Sequence, residues 1–170
     1  GPEDARTRVE LMQAVYDEPF IVAIPRNHAW SRRKSIPSED LKKETMLLLG
    51  TGHCFRDPVL EVCPELSRYS SSAEGIQKTF EGSSLDTIRH MVGSGVGITV
   101  LPLTSVPEKT SRDSLLEYVP FKSPAPDRRV VLAWRKSFTR TPAIEVLRRA
   151  ILKCPLNGVT KLPDASVETW

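Results

Sequence analysis

Short continuous runs of apolar residues recur along the chain, and several are closed by proline or glycine. Such runs are typical of strands buried on both faces. Segments with helical spacing of apolar residues lie between them, which predicts an α/β protein with a largely parallel sheet. The predicted strands are Phe20–Ile24, Thr45–Leu49, Ile98–Leu101 and Val130–Trp134, all buried, and a short strand at Leu116–Phe121.

The spacing also predicts two longer helices. Ser83 and Asp86 have the spacing of a capping box, and the apolar residues Leu85, Ile88 and Val92 then fall on one helical face. This helix is predicted to end at the glycines that precede the third strand.

The second helix is predicted to begin at Thr141-Pro142 and to end before Pro155. One of its faces carries four apolar residues: Ile144, Leu147, Ile151 and Cys154. Residues 155–170 are predicted to be a disordered tail, and residues 1–8 a tag remnant and linker.

The composition excludes several classes of protein. A chain of 170 residues with 39% hydrophobic residues can bury a core, which excludes wholesale disorder. No apolar run approaches the roughly 18 residues of a membrane helix, and the polar start has no features of a signal peptide. The net charge of +3 is only mildly basic. Three cysteines do not make the framework of a secreted disulfide protein, so we expect cytosolic thiols.

Cys54 lies in a setting that favours its thiolate. Asp57-Pro58 is typical of a helix start, so Cys54 would lie just before a helix N-terminus, with His53 and Arg56 beside it. Helix-terminal N–H groups and neighbouring cations stabilise a thiolate, which is the form that attacks peroxide.

Cys63 follows Cys54 by nine positions. In a continuous helix their Cα atoms would be about 13.5 Å apart, whereas a disulfide needs about 4.4–6.8 Å. A bond between them would therefore require the segment to change shape, which is how a redox switch works. The alternative is that both cysteines are small buried apolar residues, as we expect for Cys154.

Other motifs support weaker hypotheses. Ser83 and Ser84 at a helix start could hold an anion or a small polar ligand, or could simply cap the helix. The basic pairs Arg128-Arg129 and Arg148-Arg149 are typical of solvated surface. Histidines and cysteines show no zinc-ligand spacing, so neither a metal nor another cofactor is predicted.

Several segments together resemble the effector domains of LysR-type transcriptional regulators. Residues 83–89 and 93–102 resemble the helix–turn–strand unit of that family, and Asp17-Glu18-Pro19 is similar as well. Gly52–Asp57, followed by Cys63, closely resembles the redox loop of the peroxide-sensing members of the family.

The resemblance runs from about residue 9 to residue 153 and implies a fold like that of periplasmic binding proteins. Residues 25–123 would form a complete, Rossmann-like second subdomain. Residues 9–24 and 124–154 would form part of a truncated first subdomain. Where other members have acidic residues before the Gly-His-Cys motif, this chain has Gly50-Thr51, so fewer carboxylates oppose the thiolate.

The resemblance also implies roles for residues near the cysteines. Cys54 would be the peroxidatic thiol that hydrogen peroxide oxidises to a sulfenic acid, and Cys63 the resolving thiol that completes the disulfide. His53, Arg56 and Asp57 match neighbours that tune the thiol and hold the reduced loop.

The partners implied are those of a cytoplasmic transcription activator. The family forms homodimers or homotetramers, and Arg128 and Arg129 fall where a family arginine lies near the oligomer interface. Promoter DNA would be bound only through an N-terminal domain outside this chain, with RNA polymerase as a further partner. Glutaredoxin or thioredoxin would reduce the disulfide, and neither a membrane nor enzymatic turnover is expected.

Two alternatives stay open from the sequence. One is an effector domain that binds a small-molecule co-inducer near Ser83 and Ser84, with no thiol chemistry. The other is a thiol peroxidase or disulfide oxidoreductase, although the chain has no CxxC motif.

Overall fold

A computed structural model describes residues 10–49, 79–82, 84–107 and 114–170. The strands in these ranges are β1 (Glu10–Pro25), β2 (Met46–Leu49), β3 (Thr79–Gly82), β4 (Thr99–Pro102), β5 (Leu116–Pro120), β6 (Asp127–Arg135), β7 (Thr160–Lys161) and β8 (Val167–Thr169). The α-helices are α1 (Leu85–Gly93) and α2 (Thr141–Lys153), and short 3₁₀-helices span Ala29–Arg32, Ser38–Lys43 and Leu103–Ser105. Every strand and helix predicted within these ranges is present.

The long strand β1 pairs with strands from the middle and from the C-terminal part of the chain. Its C-terminal half pairs antiparallel with β4, where Ile21 faces Leu101, and with β5, where Val22 faces Val119. Its N-terminal half pairs antiparallel with β7 and β8, and β6 also pairs with β1. The prediction of a largely parallel sheet is therefore wrong for β1, because apolar runs report burial and not the direction of a neighbouring strand.

The chain divides into two compact units, with the divisions after Glu18 and after Asp127. The unit that begins at Pro19 holds the main apolar core. That core combines residues of β1, β2, β4 and β5 with the intervening segments: Phe20, Val22, Ile24, Ile36, Leu41, Met46, Leu48, Ile98, Val100, Val119 and Phe121. The predicted face of α1 is confirmed, because Ile88 and Val92 are buried against Leu47 and Leu85 packs beside them.

The other unit contains the N-terminal half of β1, β6, α2 and the C-terminal strands. Strand β6 is present, but its burial alternates, with Val130 and Leu132 half-buried and Val131 exposed. It is therefore a strand with one solvated face, and the prediction that both its faces are buried is wrong.

Helix α2 buries a cation where the spacing predicted an apolar face. Leu147 is 49% exposed and Cys154 is exposed, whereas Arg148 is 4% exposed. Arg148 donates to the backbone carbonyl oxygens of Ala14, Leu162 and Pro163, which an arginine can satisfy and a leucine cannot. Arg148 is thus a buried residue and not the solvated one that the sequence predicted.

The C-terminal segment also differs from the prediction of a disordered tail. β7 and β8 lie within residues 155–170 and pair with β1. Their five residues are exposed, so hydrophobic patterning gave no signal of order; the free edge of β1 supplies the partners instead.

Candidate functional site

The cysteine segment, residues 50–78, lies between strands β2 and β3 in the sequence. They are parallel neighbours, with Met46 opposite Thr79 and Leu49 opposite Gly82. Parallel neighbours require a crossover connection, and in this chain that connection is residues 50–78. The predicted site residues Cys54, Cys63, His53, Arg56 and Asp57 all belong to it and lie outside the described residues.

Strand β2, which precedes this segment, is hydrogen-bonded to β4 and to Ile98, the residue before β4. The Ile98 N–H donates to the Thr45 carbonyl and the Leu47 N–H to the Ile98 carbonyl, both at 2.9 Å. The Thr99 hydroxyl donates to the Leu47 carbonyl at 2.7 Å. Gly97 permits this close approach, because a Cβ there would lie 2.5 Å from the Thr45 carbonyl oxygen. The cysteine segment thus begins from a fixed, buried strand.

Ser84 is the N-cap of α1. Its Oγ accepts the Thr87 N–H at 3.1 Å and lies 3.0 Å from the Thr87 hydroxyl. The predicted capping box placed the N-cap at Ser83, whereas the N-cap is Ser84; the Asp86 carboxylate pairs with Arg89 at 2.9 Å. Ser83 lies outside the described residues, and the Ser84 hydroxyl is already engaged by the helix.

Arg128 and Arg129 are both paired with carboxylates of β1. Arg128 donates from Nε to Glu18 Oε1 at 2.6 Å, and Glu18 is completely buried. Arg129 donates from Nε and Nη2 to the two oxygens of Asp17, at 2.8 and 2.9 Å. The two arginines therefore tie the start of β6 to β1. The sequence contains both pairs of residues, but about 110 positions separate the partners, so patterning could not join them.

The surroundings of two β1 side chains shift their pKa values. The hydrogen bonds from Arg129 hold the pKa of Asp17 below its ordinary value of 3.8. Burial raises the pKa of Tyr16 above its ordinary value of 10.0, and the negative charge of Glu18 acts in the same direction.

The Asp17–Arg129 pair predicts a loss of stability in acid. Because the folded chain lowers the pKa of Asp17, the unfolded chain takes up the proton first as the pH falls. The stabilisation is present above the ordinary pKa of 3.8 and is lost as the pH falls through the lowered pKa of the folded state. The Arg129 side chain is 60% exposed, so we expect at most about 1 kcal/mol.

The measurement is urea unfolding of the unchanged chain and of Asp17→Asn, at about pH 7 and about pH 2.5. We expect a stability gap at the higher pH that closes at the lower one. A gap of equal size at both values would mean that the substitution acts through packing and not through charge.

A cavity of about 520 Å³ lies within the unit that contains α2. It is lined by Met12 and Ala14 of β1, Arg129 and Val131 of β6, residues 161–166 and Glu168. The sequence gave no signal of it, because one wall is the segment predicted to be disordered.

Among the described residues, no cluster of three or more His, Cys, Asp or Glu side chains could hold a metal ion. No helix in the same part of the chain is long and apolar enough to cross a membrane. Cys154 is an exposed free thiol at the end of α2, with its Sγ 3.4 Å from the Ala150 carbonyl.

The chain belongs to the LysR substrate-binding domain family, whose family model matches residues 10–153. It is similar to the Escherichia coli K12 DNA-binding transcriptional dual regulator OxyR, with 36% identity over 137 residues. The matched part is 81% of this chain and 43% of that protein, so the chain spans less than half the length of this relative.

Solved structures of OxyR also match. The reduced regulatory domain from Pseudomonas aeruginosa is 46% identical, with a TM-score of 0.72 over 87% of this chain and 68% of that one. Reduced OxyR from N. meningitidis is 37% identical, with a TM-score of 0.80 over 95% of this chain and 73% of that one. An oxidized form of OxyR is 33% identical, with a TM-score of 0.65 over 88% of this chain and 67% of that one. These matches confirm the α/β, periplasmic-binding-protein-like fold class that the sequence predicted.

Proposed function

We propose that this chain is the peroxide-sensing regulatory domain of a LysR-type transcriptional activator. One observation carries the proposal: Cys54 and Cys63 lie in the β2–β3 connection of a chain 46% identical to a reduced OxyR regulatory domain. Reduced and oxidized forms of OxyR proteins have both been solved, which supports redox chemistry as the signal.

The proposed reaction consumes one peroxide per chain. The Cys54 thiolate attacks one oxygen of hydrogen peroxide, the O–O bond breaks, and Cys54 becomes a sulfenic acid as hydroxide leaves. The Cys63 thiolate then attacks the Cys54 sulfur and expels the sulfenic hydroxyl as hydroxide, and the two hydroxides take up two protons from solvent to become water. The two thiols lose two electrons and peroxide gains them. His53 and Arg56 favour the Cys54 thiolate, and Asp57 helps to hold the reduced loop.

The strands at the ends of the segment explain how a local bond would act at a distance. Thr45 and Leu47 hold β2 to Ile98, and β3 pairs along β2. A disulfide must therefore be accommodated within residues 50–78 or move this strand pair. In the whole protein, which forms a homodimer or homotetramer in the cytoplasm, that change would alter subunit packing, with Arg128 and Arg129 near the interface.

The altered oligomer would engage promoter DNA through the N-terminal domain and, with RNA polymerase, activate antioxidant genes. Glutaredoxin or thioredoxin would then return Cys54 and Cys63 to thiols. The chain acts by this switch and not by enzymatic turnover.

The first experiment is mass spectrometry of the reduced chain before and after one equivalent of hydrogen peroxide. Trypsin cleaves after Arg56, so Cys54 and Cys63 fall in separate peptides, residues 44–56 and 57–68. We expect a loss of two hydrogens and a cross-linked pair of these peptides. Because Cys154 is exposed, the chain should carry Cys154→Ser to exclude disulfides through that thiol, and the intact mass should be that of a single chain.

Two controls make the result specific. Cys63→Ser should stop at a sulfenic acid on Cys54, and Cys54→Ser should leave Cys63 reduced. Should both thiols stay alkylatable in folded protein, the switch does not operate in this chain. Peroxide consumption far beyond one equivalent, with a thiol reductant present, would instead indicate an enzyme.

A further inference from the structure

The C-terminal segment, residues 155–170, is held on β1 by main-chain pairing. β7 lies opposite residues 16–17 and β8 opposite residues 11–13, both antiparallel. All the residues of these two strands are exposed, and the terminal Trp170 is 78% exposed. Burial of side chains in β7 and β8 therefore does not account for their position.

Three further hydrogen bonds, beyond those of the strand pairing, also involve the backbone. They run from the Leu162 N–H to the Val15 carbonyl (2.9 Å), from the Trp170 N–H to the Glu10 carbonyl (2.8 Å), and from the Gln13 side-chain amide to the Ala165 carbonyl (2.8 Å). Contacts of this type recognise an extended backbone and place few demands on its side chains.

Arg148 fixes the middle of the segment. Its guanidinium donates to the Ala14 carbonyl of β1 and to the Leu162 and Pro163 carbonyls of the segment, at 2.5–3.3 Å. One buried side chain of α2 thus bridges β1 and the C-terminal segment. All four of these hydrogen bonds are accepted by backbone carbonyls and none by a side chain of the segment.

Within the segment, a turn at Asn157-Gly158 lies between the end of α2 and β7. Both residues are exposed, and Gly158 has a φ of +79°, a conformation that favours glycine. The turn can therefore be cut or lengthened without altering a packed element.

We propose that the edge of β1 over residues 10–17 is a docking site for an extended antiparallel peptide. The C-terminal segment occupies it in this structure, and the same segment from a second copy of the chain can occupy it in trans. An unpaired strand edge is a template for strand addition, and exchange of an identical segment is a low-cost route to association. This inference does not depend on the cysteine chemistry.

The test inserts a protease site between Asn157 and Gly158 and cleaves the folded chain. The probe is a fluorescent peptide of residues 158–170, followed by anisotropy and size-exclusion chromatography. We expect the probe to exchange into the cleaved chain. The uncleaved chain should take up far less of it, because its tethered segment has an effective concentration on the order of millimolar.

Two matched peptides identify the contact. Leu162→Pro removes the N–H that donates to Val15, whereas Leu162→Ala keeps it. We expect the proline peptide to bind about fivefold more weakly than the alanine peptide, or weaker still, since one hydrogen bond contributes on that order. Equal binding of the two peptides, equal binding to cleaved and uncleaved chain, or no exchange into cleaved folded chain would each overturn the proposal.

Discussion

Replacing Arg148 with methionine is expected to lower the free energy of unfolding by about 3 kcal/mol. The substitution keeps the length of the side chain but removes four hydrogen bonds to carbonyl oxygens of Ala14, Leu162 and Pro163. Hydrogen bonds from a charged donor contribute roughly 1.5–3 kcal/mol each, and the carbonyls would be left partly unsatisfied. Removal of a buried charge offsets part of this loss, which is why the expected total is below the sum.

The adjacent residue provides a matched control. Arg149→Met removes an exposed cation that pairs with Glu145, one helical turn earlier in α2. We therefore expect the free energy of unfolding to change by no more than about 0.5 kcal/mol. Urea unfolding measures both variants, and Arg148→Lys should fall between them because it keeps the charge but loses the planar fork. Equal effects at 148 and 149 would contradict the role assigned to Arg148.

Replacing Gly97 with alanine is expected to lower the free energy of unfolding by about 2–3 kcal/mol, at the upper end of the range for overpacking. The new Cβ would lie 2.5 Å from the Thr45 carbonyl oxygen and 3.2 Å from its carbon. Because these are backbone atoms, they cannot rotate away, and the Thr45–Ile98 hydrogen bond must lengthen. Amide exchange at Leu47, whose N–H donates to Ile98, should rise with the loss of stability.

Gly95 is the control for Gly97. It has a φ of +80° but open space around the position of a Cβ, so alanine there is expected to cost only about 1 kcal/mol in backbone strain. If Gly97→Ala lowered the free energy of unfolding less than Gly95→Ala, the backbone between β2 and β4 would be easier to displace than its contacts imply.

Burial was predictable from the sequence for the apolar runs of the unit that begins at Pro19 but not for β6. Phe20–Ile24 and Ile98–Leu101 are buried as expected, whereas the equally apolar run Val130–Trp134 has one solvated face. The first half of β1 was missed because it mixes polar and apolar residues, with Gln13 and Asp17 among them. Strand direction was missed for a different reason, since it depends on partners distant in sequence.

The candidate site divides in the same way. Local motifs indicated a helix start near Ser84, and the helix does begin there. The ion pairs of Arg128 and Arg129, and the contact of Arg148 with the Ala14 carbonyl, depend on β1 residues more than 100 positions away, which no local pattern encodes. The roles of Cys54 and Cys63 stay predictions from the resemblance and the chemistry of the thiolate.

The exposed, main-chain pairing of β7 and β8 has a consequence for how variation in this chain should be interpreted. In a saturation mutagenesis survey, Thr160 and Val167–Thr169 would tolerate almost any side chain and would look dispensable. Proline would be the exception wherever it removes an N–H that donates to β1. A segment can therefore be freely variable in composition and still be required as a length of backbone, and only a proline scan would separate the two properties.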